Sequence, residues 1–367
     1  MKQLFAVAAF AAAILPVTTK AHAQPLAADN VPALIAAEAQ SANIDGTFLV
    51  ARNGEPIAIE SFGLANRQHG VKNQGRTAFR IASMTKSFTA VLVLQLVEAG
   101  LVDLDTPFGT YLPDYPADYK NSITVRQMLA NRSGIPHYIN LPGWFDGKYR
   151  STNSDEAFMA AIAAEPLLFE AGSEYRYSNS NYFLLGQIIE DLTGKPYAAV
   201  LEERILSPLG MSETGDFTVG ELVPNLADDY MPNGEEISCK PADAEYCVSG
   251  YVNMDLFQAT GSLHSTVTDL LKWDQALYGN QLLTDASKAT LFDAETPFAW
   301  VVGAVPINDN GKTADIITYN GGINGYTSFI GRFPESKLTI IILSNNGAGY
   351  NKLANATVSL ASALLKE

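Results

Sequence analysis

Apolar runs with the spacing of strands stand at both ends of this chain. Gly46 to Arg52 and Pro56 to Gly63 flank Asn53-Gly54, a dipeptide that closes tight hairpins, and Val31 to Gln40 before them reads as a short helix. Near the other end, Phe298 to Ile307, Asp315 to Tyr319, Tyr326 to Phe333 and Lys337 to Leu343 are β-rich runs separated by turn residues. Lys352 to Lys366 then has the spacing of an amphipathic helix. Between the ends, from about Ser83 to Glu295, the pattern is mostly helical, with Gly100, Gly194 and Gly210 where helix stops belong. The chain leaves a sheet, builds helices and returns. That order predicts an α+β fold, with one antiparallel sheet built from both termini, flanking helices and an inserted helical subdomain. The sheet part takes about 30–82 and 298–367, the helical part about 83–297, in a single domain over 24–367. A cleft between the parts is the expected site.

Residues 1–23 have a different pattern. Lys2, an apolar stretch from Leu4 to Val17, and Ala21-His22-Ala23 as a small-x-small cleavage site make a cleavable signal peptide. The expected product begins at Gln24 and is periplasmic or secreted. No Cys lies near the cleavage site, so no lipid anchor is expected. Phe88 to Val97 is too short to span a bilayer and is interrupted by Gln95, which makes it a buried helix. With 47% hydrophobic and 17% charged residues, a disordered or fibrous chain is excluded. Loss of Lys2 and Lys20 with the leader takes the formal charge from −15 to −17. Such a surface repels nucleic acid and anionic lipid, leaving a small molecule or peptide as the expected substrate. Cys239 and Cys247 are the only cysteines, and an oxidising compartment allows a local disulfide or two free thiols. The irregular segment Phe217 to Val252 carries Asp228, Asp229, Glu235, Glu236, Asp243 and Glu245, and reads as a solvated acidic loop ahead of a substrate-shaping lid.

Candidate chemistry narrows by elimination. His69, His137 and His264 are the only histidines after the leader, and no two stand at ligand spacing. No Gly-rich phosphate loop and no Gly-x-Ser-x-Gly elbow occurs, so neither metal nor cofactor is expected. Ser83-Met84-Thr85-Lys86 is the one place where a lysine follows a serine by three. It stands where the extended Phe79-Arg80-Ile81 gives way to the apolar helix through Phe88, Val91 and Val97. Lys86 lies one turn from Ser83 on the same face, so its amine can act as a base if burial and the positive helix end lower its pKa. Free backbone N–H groups at that end can meet a developing oxyanion. A tyrosine beside the lysine can pass the proton to a leaving group. Tyr-x-Asn occurs at Tyr119, Tyr138, Tyr177, Tyr251 and Tyr278. Only the Tyr177 copy lies between a turn, Phe169 to Gly172, and a helix opening at Asn181 to Gly186, which selects Tyr177 and Asn179.

With these residues in hand, the chain resembles the serine β-lactamase and penicillin-binding-protein superfamily, in particular its class C-like branch with DD-peptidases and esterases. The carriers are Phe79-Arg80-Ile81-Ala82-Ser83-Met84-Thr85-Lys86, Ser133-Gly134-Ile135-Pro136, Tyr177-Ser178-Asn179, Pro208-Leu209-Gly210-Met211 and Gly261-Ser262-Leu263-His264-Ser265-Thr266. The resemblance implies Ser83 as nucleophile, Lys86 as its base, Tyr177 as proton shuttle, and Asn179 as a ligand for substrate amide or Lys86. It also implies a strand carrying Lys or His, any residue, then Gly. Here that strand reads Tyr319-Asn320-Gly321, ahead of Gly322-Ile323-Asn324-Gly325-Tyr326, so a neutral tyrosine replaces the cation. Lys312-Thr313-Ala314 upstream lacks the glycine. The N–H of Gly322 is expected to complete an oxyanion hole with that of Ser83. Because carboxylate substrates want a cation, Tyr319 tilts the expectation toward an esterase or peptidase. The alternatives are a β-lactamase or D-Ala-D-Ala carboxypeptidase, or a non-catalytic peptidoglycan-fragment binding protein.

Overall fold

The computed structural model describes residues 30–144, 154–216, 222–234, 239, 244–250, 252–307 and 311–365. The leader at 1–23 and parts of the acidic segment lie outside the described residues.

Helix α1 (Val31–Ala42) has proline in its first turn and stops at Asn43, whose left-handed backbone closes the last turn. Strands β1 (Gly46–Arg52) and β2 (Glu55–Phe62) form the hairpin around Asn53 and Gly54, both at positive φ as a two-residue turn requires. Three helices then make the body of the inserted region. Helix α2 (Thr85–Glu98) is buried nearly all round, α3 (Asn179–Thr193) stops at a left-handed Gly194, and α4 (Val267–Ala276) lays Trp273 flat on Phe88 with ring centroids 4.0 Å apart. The chain returns through β3 (Val301–Pro306), β4 (Thr313–Ile323), β5 (Tyr326–Phe333) and β6 (Leu338–Ser344), and closes with α5 (Tyr350–Leu364).

The strands order as β3-β4-β5-β6-β1-β2, antiparallel throughout, with β6 against β1 joining the two ends of the chain. Every residue of β6 is buried, which is why it reads as a continuous apolar run rather than an alternating one. Successive side chains go to opposite faces. Phe48, Val50, Ile340 and Ile342 meet α1 and α5, while Leu49, Ile341 and Leu343 meet α2 and α4. Arg332 on β5 and Asp274 on α4 form a fully buried ion pair, and Thr339 Oγ1 donates to Asp274 at 2.7 Å. This network pins α4 to the sheet, because removing one partner strands the other charge.

The structure differs from the sequence expectation in three places. Strand β4 runs on past Tyr319 to Ile323, its glycines hiding a ladder that continues with Gly321 opposite Ser328. The inserted region also holds small sheets, Phe79–Arg80 with Leu263–Ser265 and Gly215–Asp216, and Tyr230–Pro232 with Tyr246–Val248. Runs of two or three residues are too short to show a period. The described part of the acidic segment is not a solvated loop. Asp228 accepts from Asn66 at 2.6 Å, the N–H of buried Tyr230 donates to Asn345 at 2.9 Å, and Cys239 is disulfide-bonded to Cys247. Among the described residues no helix is long and apolar enough to cross a membrane.

Candidate functional site

The strand pair at Phe79–Arg80 hands the chain to a tight turn, Ala82–Met84, from which α2 starts. Ala82 is forced to φ 47, a left-handed conformation costing an alanine about 1 kcal/mol. Its neighbours hold it there: Ile81 N–H donates to Leu263 at 2.9 Å, and Ile81 C=O accepts from Ser328 Oγ at 2.7 Å. Ser83 is thereby presented, half-buried, at the head of the helix.

Two groups converge on its oxygen. Tyr177 OH lies 2.7 Å from Ser83 Oγ, and Lys86 Nζ donates to it at 3.3 Å while also donating to the Thr260 carbonyl. Lys86 is fully buried, and burial holds its ammonium well below the usual lysine range. Burial pushes the Tyr177 phenol up, outweighing the opposing effect of its hydrogen bond to Ser83. The two shifts are opposite in sense: burial favours the protonated phenol of Tyr177 and the neutral amine of Lys86.

Tyr177 is held from behind by an amide network. Asn131 Oδ1 accepts from Ser178 N–H and Asn181 Nδ2, each at 3.1 Å, and Ser133 Oγ donates to Asn181 Oδ1 at 2.6 Å. This explains Ser133-Gly134-Ile135-Pro136: Ser133 Oγ also accepts from Ile135 N–H, and a Cβ on Gly134 would meet the Phe169 carbonyl at 2.3 Å. Asn179 begins α3 and donates its N–H to His137 Nδ1 at 3.4 Å, whereas its Oδ1 is buried without a partner among the described residues. No hydrogen bond joins Asn179 to Lys86 among the described residues. His137 sits edge-on to Tyr177 at 5.6 Å, and burial, followed by the Lys86 charge, lowers its pKa to about 3. It is a neutral imidazole. Tyr138 bonds Thr260 Oγ1 at 2.9 Å and stacks near Trp144, backing the cleft.

Strand β4 forms the opposite wall. Tyr319, Gly321 and Ile323 share one face, and a Cβ on Gly321 would stand 2.1 Å from the Ile81 carbonyl and 2.7 Å from Ser83 N. Only glycine lets the strand come so close. Gly322 faces outward and is exposed. Among the described residues the Tyr319 hydroxyl is buried without a partner, and its ring lies 6.1 Å from Trp300, whose Nε1 is likewise buried and unpartnered among them. Lys312 precedes the far end of β4, roughly 24 Å from Tyr319 at strand rise, so the upstream lysine is outside the site.

The structure therefore brings Ser83, Lys86, Tyr177 and Gly321 into contact, with Asn179, Tyr319 and Gly322 around them. Sequence reasoning missed Thr260, Ala82, Asn131 and Trp300. Thr260 and Ala82 had a signal, since the first directly precedes Gly261-Ser262 and the second directly precedes Ser83; Asn131 and Trp300 had none. A serine hydroxyl hydrogen-bonded to both a depressed amine and a protonated phenol is equipped for acyl transfer.

Comparison with known proteins agrees. The family model described as Beta-lactamase matches residues 31–363. The chain is 30% identical over 319 residues to penicillin-binding protein 4* of Bacillus subtilis (strain 168), covering 82% of this chain and 68% of that protein. Among solved structures it is similar to the D-amino acid amidase of Ochrobactrum anthropi SV3 complexed with L-phenylalanine, at TM-score 0.77 and 26% identity over 92% of this chain and 98% of that one. The octameric penicillin-binding protein homologue of Pyrococcus abyssi shares the fold, with TM-score 0.74 at 22% identity over 93% and 78% of the two chains. The chain belongs to the beta-lactamase family and is a serine hydrolase of the superfamily that includes the penicillin-binding proteins.

Proposed function

We propose that the protein is an exported hydrolase of neutral esters or amides that works through an acyl-enzyme on Ser83. Ser83 Oγ attacks the carbonyl carbon as its proton passes to the neutral Lys86 amine. The N–H groups of Ser83 and Gly322 take the oxyanion. The tetrahedral intermediate then expels its alcohol or amine, which receives a proton from Tyr177 while Lys86 returns one to the phenol. Water attacks the ester through the same groups in reverse, freeing the acid and restoring Ser83. Asn179 Oδ1, a buried acceptor with no partner among the described residues, is suited to the N–H of an amide substrate.

The observation that carries the substrate preference is Tyr319: where relatives are expected to keep a cation, this site offers a buried hydroxyl without a partner among the described residues. A neutral donor suits a carbonyl or carboxamide, and pairs less strongly with a carboxylate than a charged donor does. The amidase likeness supports the amide half of this reading. The expected result is Ser83-dependent turnover of p-nitrophenyl butyrate and amino-acid amides above that of nitrocefin or a D-Ala-D-Ala peptide. Tyr319→Lys should lower the ratio of ester to β-lactam kcat/KM by about tenfold, one charge-assisted hydrogen bond's worth. A ratio that holds or rises would remove Tyr319 from the argument. Export rests on the leader at 1–23. Cell fractionation followed by N-terminal sequencing should find the protein outside the cytoplasm, beginning at Gln24, and a cytoplasmic chain retaining Met1 would reverse that part.

A further inference from the structure

The Thr260 carbonyl that receives Lys86 belongs to a tight turn at 257–261. Thr260 and Gly261 both donate their N–H to the Phe257 carbonyl, at 2.9 and 2.7 Å, and Ala259 ahead of them is buried at φ 60. Alanine is strained in that left-handed conformation, so contacts from outside the turn must hold it. Three elements supply them. From α3, Gly186 comes so close that a Cβ on it would stand 2.7 Å from the Ala259 Cβ. From the short helix Tyr138–Asn140, the Tyr138 hydroxyl donates to Thr260 Oγ1 at 2.9 Å, whose own proton goes to the Phe257 carbonyl. From α2, Thr89 Oγ1 donates to the Ala259 carbonyl at 2.7 Å.

The α2 contact is the one tied to the chemistry. Thr89 follows Lys86 by three residues, so both side chains leave the same side of the helix, about one turn apart. They take consecutive carbonyls of one turn, Lys86 Nζ that of Thr260 and Thr89 Oγ1 that of Ala259. Thr89 is fully buried, and its single proton has two acceptors in reach, Ala259 at 2.7 Å and Thr85 at 3.4 Å. The shorter bond takes it. Thr89 Oγ1 is then an acceptor for the Tyr197 hydroxyl at 2.8 Å, which comes from the head of the short helix Tyr197–Leu201. A buried relay thus runs from Tyr197 through Thr89 to Ala259, and ends one residue short of the carbonyl that orients the base.

We propose that Thr89, itself fixed by Tyr197, is a positioning residue for Lys86: by anchoring the Ala259 carbonyl it aims the Thr260 carbonyl at the amine and keeps Nζ within reach of Ser83 Oγ. The proposal rests on the reading of Lys86 as the base of the acyl-enzyme chemistry. The Thr260 carbonyl has a second effect. An acceptor stabilises an ammonium more than a neutral amine, so it opposes the loss of basicity that burial imposes on Lys86. The other titratable groups facing Lys86 hold one state between about pH 4 and 10. The Tyr177 and Tyr182 rings lie 5.0 and 5.8 Å from Nζ, burial pushes their phenols and that of Tyr138 up, and burial followed by the Lys86 charge lowers His137 to about 3. The acid limb of kcat/KM therefore reports Lys86.

The test compares that limb, on p-nitrophenyl butyrate, in wild type, in Thr89→Val, which keeps the shape and loses the hydroxyl, and in Thr89→Ser, which keeps the hydroxyl. In Thr89→Val kcat is expected to fall by about 10- to 100-fold with KM within about threefold, and the limb to move down by about half a pH unit or more. Thr89→Ser is expected to return both to near wild type. A residue that only packed the helix would lower the denaturant midpoint and leave the limb in place. An unmoved limb in folded Thr89→Val, or a serine variant no better than the valine one, therefore overturns the proposal. Should Thr89→Val not fold, Tyr197→Phe carries the same test, because it removes the donor that turns the Thr89 proton toward Ala259. A fall in kcat of about threefold or more with a lowered limb then supports the positioning role, and wild-type values overturn it. Lys86→Met separates the two readings. A limb abolished in Lys86→Met yet unmoved in Thr89→Val removes the positioning role alone, whereas a limb that survives Lys86→Met means that Lys86 is not the base, and both readings fall.

Discussion

Lys86→Met is expected to lower kcat/KM on p-nitrophenyl butyrate by about 10²- to 10⁴-fold, the usual contribution of a positioned base. It is also expected to flatten the dependence of stability on pH. In the folded protein the buried amine stays neutral to well below 10.5, while in the unfolded chain it is an ammonium up to that pH. Between those two values the unfolded state binds the extra proton, so wild-type stability rises with pH until about 10.5 and then levels. The cost of keeping Lys86 neutral grows by about 1.4 kcal/mol for each pH unit below 10.5, down to its folded value. Methionine has no proton to lose. Above pH 10.5 the variant should be the less stable of the two, because the Thr260 carbonyl loses its donor, at about 1 to 3 kcal/mol. As the pH falls the difference should shrink and then invert. Denaturant midpoints of both proteins from pH 7 to pH 11 decide it, and parallel curves would mean that Lys86 carries its charge in the fold. Ser83→Ala separates chemistry from charge: it should cost about 10⁶-fold in rate and leave the slope intact.

This coupling of activity to instability also marks where the sequence was informative. The strands nearest the centre of the sheet were legible because they are long and bury both faces, as in β6, or sit beside a turn with a fixed backbone requirement, as at Asn53-Gly54. Gly194 and Gly210 were legible for the same reason, since both stand at left-handed helix stops. Ser83 and Lys86 share one helix turn, so spacing alone related them, and Tyr177 was separable from four other Tyr-x-Asn copies by the turn and helix around it. What escaped depends on distant backbone. Thr260 contributes a carbonyl, which any residue type could supply, and Ala82 is left-handed only because Leu263 and Ser328 fix Ile81 on either side. The acidic segment misled because composition reports average exposure, whereas single residues in it, Tyr230 above all, are buried, here with its N–H bonded to Asn345 just past β6.

Gly321→Ala is expected to be nearly as damaging as loss of the base, for a purely steric reason. The residue needs no glycine-specific φ, yet its added Cβ would stand 2.1 Å from the Ile81 carbonyl, 2.7 Å from Ser83 N and 2.8 Å from Ser328 Oγ. Two of these are backbone atoms held by other elements, since Ile81 is bonded to Leu263 and Ser328 and Ser83 begins the turn into α2. Strand β4 must therefore retreat from Ser83. Moving the strand carries Gly322 away from the point where an oxyanion would form, and loss of one such donor costs about 10²- to 10³-fold in kcat. The same crowding should lower stability by about 1 to 3 kcal/mol. Gly322→Ala gives the contrast in stability, because the nearest atom to its added Cβ is the Tyr326 carbonyl at 4.0 Å. That variant should unfold within about 0.5 kcal/mol of wild type. If Gly321→Ala keeps kcat within threefold of wild type, β4 does not supply the oxyanion donor, and the partner of the Ser83 N–H must be sought on another element.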